Sequence, residues 1–432
     1  MLSHLVRAFL FASLSLAAYE PARFELAGDW AIRVSVPGGP EATLKVTPPT
    51  LLMVNSEKYT SLPVFNPRAG GWIKGAQLNG VKAQETTSPH LLVKESFVLK
   101  SGPEPDAPAF ITGKDYEVDL DWGTFGRITG SRIDASQSVY ANYSHSQMRL
   151  DSVVLNSKGE LELRQGEARA AAPSTPASRP GDRLLGTIYL PGYVTKLSAE
   201  NLFPVLESEY PESKVPQTPT IERLIKRLKA GQSLRILAWG DSVTDATYLP
   251  NRNVERWQEQ FASRLRERFP KARIEVITQA WGGRNTGSYL SEPPGSPHNY
   301  KETVLGVKPD LVISEFVNDA GLKPEQVEER YAKLLADFKE LGAEWIILTP
   351  HYVRPDWMGL TSEREIEEDP RPYVAGLRQF AAKHDVALAD ASKRYGRLWR
   401  QGIPYNALML NAINHPDARG MKIFADALMA LF

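Results

Sequence analysis

The second half of the chain alternates short apolar runs with helical patterns. The apolar runs, all after Pro216, are Leu234 to Trp239, Ile274 to Ile277, Leu311 to Val317, Trp345 to Leu348 and Val386 to Ala389. Runs this short are typical of buried strands, and the helices between them are the crossovers that parallel strands need. The alternation predicts a three-layer α/β domain with a parallel sheet over residues 216–432.

Two of the intervening helices have clear signals. Trp257, Phe261 and Leu265 recur at four-residue steps, which places them on one helix face. Another helix is predicted to begin at Pro324, a favoured first residue, and to end at Gly342, a favoured terminator. Ligands of open parallel sheets bind at the loops after the carboxyl ends of the strands, so the functional residues are sought there.

The preceding residues, 19–205, have the pattern of β structure. Apolar residues at alternate positions from Trp30 to Val36 predict a strand, and residues 149–164 predict a hairpin. A segment rich in Ala, Pro and Ser at residues 166–182 predicts a linker inside this region. We expect a β-rich, sandwich-like accessory region of one or two domains.

The first 18 residues have the pattern of an export signal. Arg7 precedes an apolar run from Ala8 to Leu16, which closes on small residues. A signal peptide over residues 1–18 predicts a secreted or periplasmic protein, and an uncleaved anchor is the alternative. No later stretch reaches the roughly 18 apolar residues of a membrane helix, so no membrane span is expected after processing.

Composition narrows the chemistry. The chain has no cysteine, which excludes thiol nucleophiles, thiolate zinc sites, iron–sulfur clusters and disulfides. Its 51 basic and 51 acidic residues cancel, so no overall field favours nucleic acid. No His, Asp and Glu residues have metal-ligand spacing, and we expect neither a metal nor another cofactor. Catalysis is left to Ser, His, Asp, Glu, Lys or Tyr.

A serine stands where the first strand of the predicted sheet ends. The strand breaks at Gly240-Asp241-Ser242, which places a hydroxyl on a tight turn past the strand tip. A serine hydroxyl is a weak nucleophile unless a base takes its proton, and His415, just before the final helix, is the candidate base. The bland alternative for this serine is a helix cap or an ordinary turn.

Two further blocks follow the next strands, and both can stabilise an oxyanion. They are Trp281-Gly282-Gly283-Arg284-Asn285 and Phe316-Val317-Asn318-Asp319. The tetrahedral intermediate of acyl transfer needs fixed hydrogen-bond donors. The backbone N–H groups of Ser242 and Gly283 and the side-chain amide of Asn318 are the predicted donors.

These blocks resemble those of the SGNH or GDSL-type serine hydrolases, named for dispersed Ser, Gly, Asn and His residues. The resemblance covers residues 234–432 and implies a flavodoxin-like sheet, a Ser nucleophile, a His base and an oxyanion hole completed by Gly and Asn. The matching positions are Ser242, His415, Gly283 and Asn318. Gly283 is preferred to Gly282 because Gly-Arg-Asn is similar to the Gly-Arg-Ser of carbohydrate acetylesterases in this family.

The sequence departs from that family pattern at two positions. Phe316 replaces a usual glycine, which leaves the Asn donor in place. Ala412 stands where the acid that orients the histidine is expected, three residues before His415. A backbone carbonyl or an amide from Asn411 or Asn414 is one replacement, Asp390 after the last strand is another, and an inactive descendant is a third reading.

Two residues after the fourth strand are candidates for substrate binding. His351 lies at the strand tip, and a structural role is the alternative. Trp357 lies in the long segment 351–372, where it either meets a sugar face or packs the loop down. His298 and His384 are expected to be surface or capping residues.

The expected function is a secreted serine esterase that removes acetyl groups from a carbohydrate polymer or oligosaccharide through an acyl-enzyme. The resemblance implies an ester hydrolase, and export with an appended β-rich region favours an acylated carbohydrate as substrate. A general short-chain esterase or an O-acetyltransferase with the same residues is the alternative. A non-catalytic secreted glycan-binding protein is the alternative from another class.

Overall fold

The structure is a computed structural model that describes residues 20–211 and 218–432. The predicted signal peptide, residues 1–18, lies outside the described residues. Within the described ranges, no helix has both the length and the apolar character that crossing a membrane requires.

The first region is built from short antiparallel sheets, which confirms the predicted β-rich fold. Its strands pair in the orders β1–β2–β3, β4–β9–β6, β5–β8–β7 and β11–β10–β12–β13. They are β1 (Arg23–Gly28), β2 (Ala31–Ser35), β3 (Glu41–Lys45), β4 (Leu52–Tyr59), β5 (Ala76–Gln77), β6 (Val98–Lys100), β7 (Tyr116–Asp119), β8 (Thr124–Arg127), β9 (Val139–His145), β10 (Arg149–Leu155), β11 (Leu161–Arg164), β12 (Arg183–Leu190) and β13 (Leu202–Pro204).

The strand and hairpin predicted from the sequence of this region are present in the structure. In β2, Ile32 and Val34 are fully buried while Arg33 between them is exposed, as period-two alternation requires. The predicted hairpin joins β10 to β11, and Leu155 pairs with Leu161 across the turn.

The second region is a five-stranded parallel sheet with helices on both faces, in the order β15–β14–β16–β17–β18. This confirms the predicted α/β fold, and the order is that of flavodoxin-like sheets. Its elements are α1 (Pro219–Lys229), β14 (Leu234–Gly240), α2 (Ser242–Asp245), α3 (Arg252–Glu255), α4 (Trp257–Arg268), β15 (Ile274–Ala280), α5 (Thr286–Ser291), β16 (Leu311–Glu315), α6 (Pro324–Leu341), β17 (Glu344–Leu348), α7 (Pro372–His384), β18 (Ala387–Ala389), α8 (Ala391–Tyr395) and α9 (Ala418–Met429).

Side chains alternate across the sheet and so build two apolar layers. Along β14, Ile236 and Ala238 pack with α4 and α9, whereas Leu237 and Trp239 pack with α6 and α7. Burial of each large apolar side chain contributes about 1.5–3 kcal/mol. Both faces of the sheet are therefore covered by helices, and the carboxyl ends of the strands are left accessible.

The two regions share one of their apolar clusters. Leu150, Tyr189 and Phe203 of the β-rich region belong to the same buried cluster as the residues of α4 and α9. The Thr187 hydroxyl also donates a 2.7 Å hydrogen bond to the Gly402 carbonyl. The β-rich region is thus packed directly against the α/β region.

Candidate active site

A pocket of about 500 Å³ lies beside the carboxyl ends of β14 and β16. These strands are neighbours, but β15 lies beyond β14 and β17 lies beyond β16. The chain therefore leaves them in opposite directions, and this is the point where open α/β sheets bind their ligands. Ser242, Asn318 and His415 all line the pocket.

The serine and the histidine predicted from sequence come together here. Ser242 begins α2 directly after β14, and His415 lies just before α9. The distance from His415 Nε2 to Ser242 Oγ is 3.3 Å. Contacts between a base and a nucleophile are often this long without substrate and shorten when it binds. The geometry allows the imidazole to accept the hydroxyl proton.

The Ser242 turn is fixed by the buried side chain of Asp241. Its carboxylate accepts a 3.1 Å hydrogen bond from the Val243 N–H group. It also accepts bonds of 2.9 Å from both the backbone N–H group and the side-chain amide of Asn318. Burial raises the pKa of Asp241 to about 7. The nucleophile turn and the Asn318 loop are therefore held as one unit.

Asn318 keeps a free donor for the pocket. A primary amide carries two hydrogens, and the bond to Asp241 uses one of them. The next residue, Asp319, is buried and accepts a 2.7 Å bond from Thr286 and a 3.1 Å bond from Arg330. This ties the loop after β15 to the loop after β16, which sets the position of the Asn318 amide.

Both glycines of the second block line the pocket. Gly283 has a φ of 71°, and a methyl group built on it would meet nothing within 4 Å. A Cβ atom on Gly282 would lie 3.7 Å from the Ser242 Cβ atom. The backbone of this turn is thus open to a ligand and close to the serine, and the positive φ at Gly283 favours glycine.

The loop that carries His415 is held by Asn411 and by the ring of Tyr248. The Asn411 side-chain oxygen accepts hydrogen bonds of 2.9–3.0 Å from the backbone N–H groups of residues 413, 414 and 415. The Tyr248 ring stacks on the imidazole with centroids 4.1 Å apart and 5° between planes. These contacts fix both the loop and the plane of the ring.

His351 supports the same loop. It is fully buried, and its Nε2–H group donates a 2.9 Å hydrogen bond to the Asn414 carbonyl. The substrate contact that the sequence suggested for His351 is wrong, because the ring lies under the loop and not at the pocket surface. Burial holds the pKa of His351 well below its usual value, so the ring is neutral.

The acid nearest to the imidazole comes from the β-rich region. Glu85 Oε1 lies 3.0 Å from His415 Nδ1, and Gln84 Oε1 lies 3.4 Å from the same nitrogen. Asp390, the acid expected from sequence, is placed elsewhere. It caps α8 and binds Arg378 at 2.8 Å, because the strand it follows is at the far edge of the sheet.

Sequence reasoning missed Glu85 because no spacing rule links it to His415. The two residues belong to different regions, and only the packing of those regions brings them together. Burial lowers the pKa of His415, and the Glu85 charge opposes this shift. The imidazole is therefore neutral at pH 7, which is the form a general base requires.

Tryptophans line one side of the pocket. Trp357 lies in the turn Pro355–Met358 with 49% of its surface exposed. Its ring centroid is 5.5 Å from that of Trp72, which is 5.3 Å from that of Trp122. Trp72 and Trp122 belong to the β-rich region, so this tryptophan row also crosses the junction of the two regions.

A flavodoxin-like sheet with a serine and a histidine beside the carboxyl ends of two neighbouring strands is an arrangement that can carry out serine-type ester hydrolysis. Residues 238–423 match the model of the GDSL-like Lipase/Acylhydrolase family. The C-terminal region of the chain is therefore similar to this family, as the sequence motifs predicted. No curated protein sequence is similar enough to count as a relative.

Several solved structures are similar in part. A two-domain esterase active on acetylated mannans is 17% identical, with a TM-score of 0.39 over 50% of this chain and 53% of its own. This chain therefore matches about half the length of that esterase. An acetyl xylan esterase from Geobacillus stearothermophilus is 19% identical, with a TM-score of 0.36 over 45% of this chain and 93% of its own. A lipolytic G-D-S-L protein from Veillonella parvula is 15% identical, with a TM-score of 0.32 over 46% and 97%.

Proposed function

We propose that the protein is an exported serine esterase that removes acetyl groups from a carbohydrate through an acyl-enzyme. The observation that carries this proposal is the contact of 3.3 Å between Ser242 Oγ and His415 Nε2 in an open pocket. Ser242 is the nucleophile and His415 is the base. The export pattern of residues 1–18 supports a secreted or periplasmic location.

The mechanism uses the groups around the pocket in sequence. His415 Nε2 takes the Ser242 proton as Oγ attacks the ester carbonyl. The resulting oxyanion accepts hydrogen bonds from the Ser242 and Gly283 backbone N–H groups and from the Asn318 amide. The imidazolium then gives its proton to the sugar oxygen as the bond between that oxygen and the carbonyl carbon breaks, which leaves an acetyl-serine. Water, deprotonated by His415, attacks the acetyl group; the bond to Ser242 Oγ breaks, Oγ takes the proton back from His415, and acetate is released.

The pocket surface favours a sugar over a lipid. Most of its lining residues are polar, and the apolar ones include Trp357 and Trp72. A tryptophan presents a flat apolar face with a polar edge, which suits a sugar ring that has both kinds of surface.

The first experiment compares acyl donors. We expect a 4-nitrophenyl acetate to be hydrolysed faster than the octanoate, and we expect acetate release from acetylated plant or algal polysaccharides. Ser242→Ala should reduce both activities to background. A faster octanoate reaction would move the assignment to lipids, and transfer of acetate to an acceptor sugar would make the enzyme an O-acetyltransferase. A Ser242→Ala variant that keeps the wild-type rate would refute the mechanism.

The second experiment tests the tryptophan surface. We expect Trp357→Ala to raise KM for an acetylated oligosaccharide about tenfold, because the binding free energy of one aromatic contact corresponds to about that change in affinity. Hydrolysis of 4-nitrophenyl acetate, which does not reach across the tryptophan row, should change less than about twofold. Trp357→Phe is the matched control because it keeps an aromatic face. Equal losses on both substrates would show that Trp357 only packs the loop.

A further inference from the structure

We infer that Glu85, a residue of the β-rich region, is the carboxylate that orients His415, so that the catalytic group is assembled from both regions of the chain. This inference rests on the proposed function, because an orienting acid matters only if His415 acts as the base. Glu85 acts through the imidazole and is therefore a positioning residue.

The geometry assigns one role to each ring nitrogen. Glu85 Oε1 is 3.0 Å from Nδ1, and Ser242 Oγ is 3.3 Å from Nε2. A proton on Nδ1, on the side of the ring that faces the carboxylate, leaves the Nε2 lone pair directed at the serine hydroxyl. The same carboxylate stabilises the imidazolium that forms when the serine proton is transferred.

Gln84 is the competing acceptor. Its Oε1 atom is 3.4 Å from Nδ1 with hydrogen-bond geometry, whereas Glu85 Oε1 lies nearer, at 3.0 Å, as an ion-pair contact. A neutral amide can hold the ring in place but cannot offset the positive charge that develops on it. The charge of Glu85 therefore favours it, and not Gln84, as the group that stabilises the imidazolium.

The turn that presents Glu85 is bonded to the histidine loop. The Ala83 N–H group closes the turn on the Thr86 carbonyl at 2.9 Å, with Glu85 at its tip. The Thr86 hydroxyl donates a 2.7 Å bond to the Asn411 carbonyl, and the Asn411 amide reaches Glu85 at 3.4 Å. Asn411 thus fixes the histidine loop and the glutamate together.

The position where the family usually has its acid serves another purpose here. Ala412 is 1% exposed, has a φ of 54°, and belongs to the apolar cluster of the β-rich region that includes Leu78 and Val81. A carboxylate at this position would be buried among apolar side chains at high cost. The histidine loop therefore docks on the β-rich region through residue 412 and receives its acid from that region at residue 85.

Two other titratable groups that contact the imidazole or its loop are neutral. Tyr248, stacked on the ring, has a pKa raised well above its usual value by burial. His351, behind the Asn414 carbonyl, has a pKa lowered by burial. Among the described residues that face the imidazole, Glu85 supplies the charge that acts on it.

The test is the pH profile of kcat/KM on 4-nitrophenyl acetate for the full chain. Glu85→Gln keeps an oxygen acceptor but removes the charge, and we expect kcat/KM to fall about 100-fold. Because the carboxylate raises the pKa of His415, the acid limb of the profile should also move to lower pH. Glu85→Asp should keep the limb near its wild-type position. Glu95→Gln, at an exposed residue of the same region, is the matched control.

Each result decides between the two proposals. If the wild type does not hydrolyse the ester, the proposed function fails. If the wild type is active and Glu85→Gln keeps its rate and acid limb, the inference about Glu85 is overturned. A loss of rate with an unmoved acid limb, or a loss seen in Gln84→Ala and not in Glu85→Gln, also overturns it. Equal thermal midpoints for wild type and Glu85→Gln exclude misfolding as the cause.

Discussion

At the scale of single residues, the chemistry depends on side chains that support the reacting ones. Asp241 is fully buried and binds both the Ser242 turn and the Asn318 loop. Asn411 does the same for the histidine loop and Glu85. Groups held this way need little reorganisation as charge develops during the reaction, which is how preorganised sites lower a barrier.

Asn318 gives the clearest prediction at this scale. We expect Asn318→Ala to lower kcat by 100- to 1000-fold, or about 3 kcal/mol of barrier, because one oxyanion donor is lost. KM should change little, since the donor acts mainly in the transition state. Steady-state kinetics on 4-nitrophenyl acetate measures both constants.

Asn318→Ala also removes one partner of Asp241, so its fold must be checked by thermal unfolding before the rates are compared. Asn251→Ala, at an exposed residue that does not line the pocket, is the control substitution. A change in kcat below about fivefold, against the larger loss typical of a lost donor, would remove Asn318 from the oxyanion hole.

At the scale of secondary-structure elements, local pattern was sufficient for most of the fold. The helix predicted from Pro324 ends before Gly342, which adopts a φ of 75° as a helix terminator should. The apolar runs became the strands of the sheet with shifts of a few residues at their ends. These signals are visible in sequence because burial on one or two faces imposes a fixed spacing on apolar residues.

The same local reasoning placed the site blocks at strand ends, but it could not place residues that depend on loop paths. Asp390 follows a strand, as an acid of the site would, yet it caps α8 and pairs with Arg378. His351 also follows a strand, yet it is buried under the Asn414 carbonyl. Position along a strand fixes where a residue begins its path, but the direction of its side chain depends on packing that the spacing does not encode.

At the scale of the whole molecule, the pocket lies at the junction of the two regions. The β-rich region contributes Trp72, Gln84, Glu85 and Thr86 to its lining. Such contacts join residues far apart in the chain, so neither periodicity nor motif spacing reveals them. The domain boundary between residues 205 and 216 remains a prediction. The shared apolar cluster holds the β-rich region against the α/β region, so that its residues form part of the pocket wall.

The position of Glu85 changes what can be inferred from Ala412, the residue that replaces the usual acid. Taken by itself, the missing acid favours a protein that has lost catalysis and only binds glycan. With Glu85 at 3.0 Å from the imidazole, a carboxylate is present from the other region, and the active-enzyme interpretation is preferred.

Labelling of Ser242 by a fluorophosphonate tests its activation by His415 most directly. We expect the intact chain to gain the probe mass on Ser242 at pH 7–8, where the imidazole is neutral, and expect Ser242→Ala to gain none. The labelling rate should fall as the pH drops through the pKa of His415, which burial places below the usual value of about 6.5. His415→Ala should label at least about 100-fold more slowly. A folded wild-type protein that stays unlabelled, or a His415→Ala variant that labels at the wild-type rate, would contradict the proposed activation.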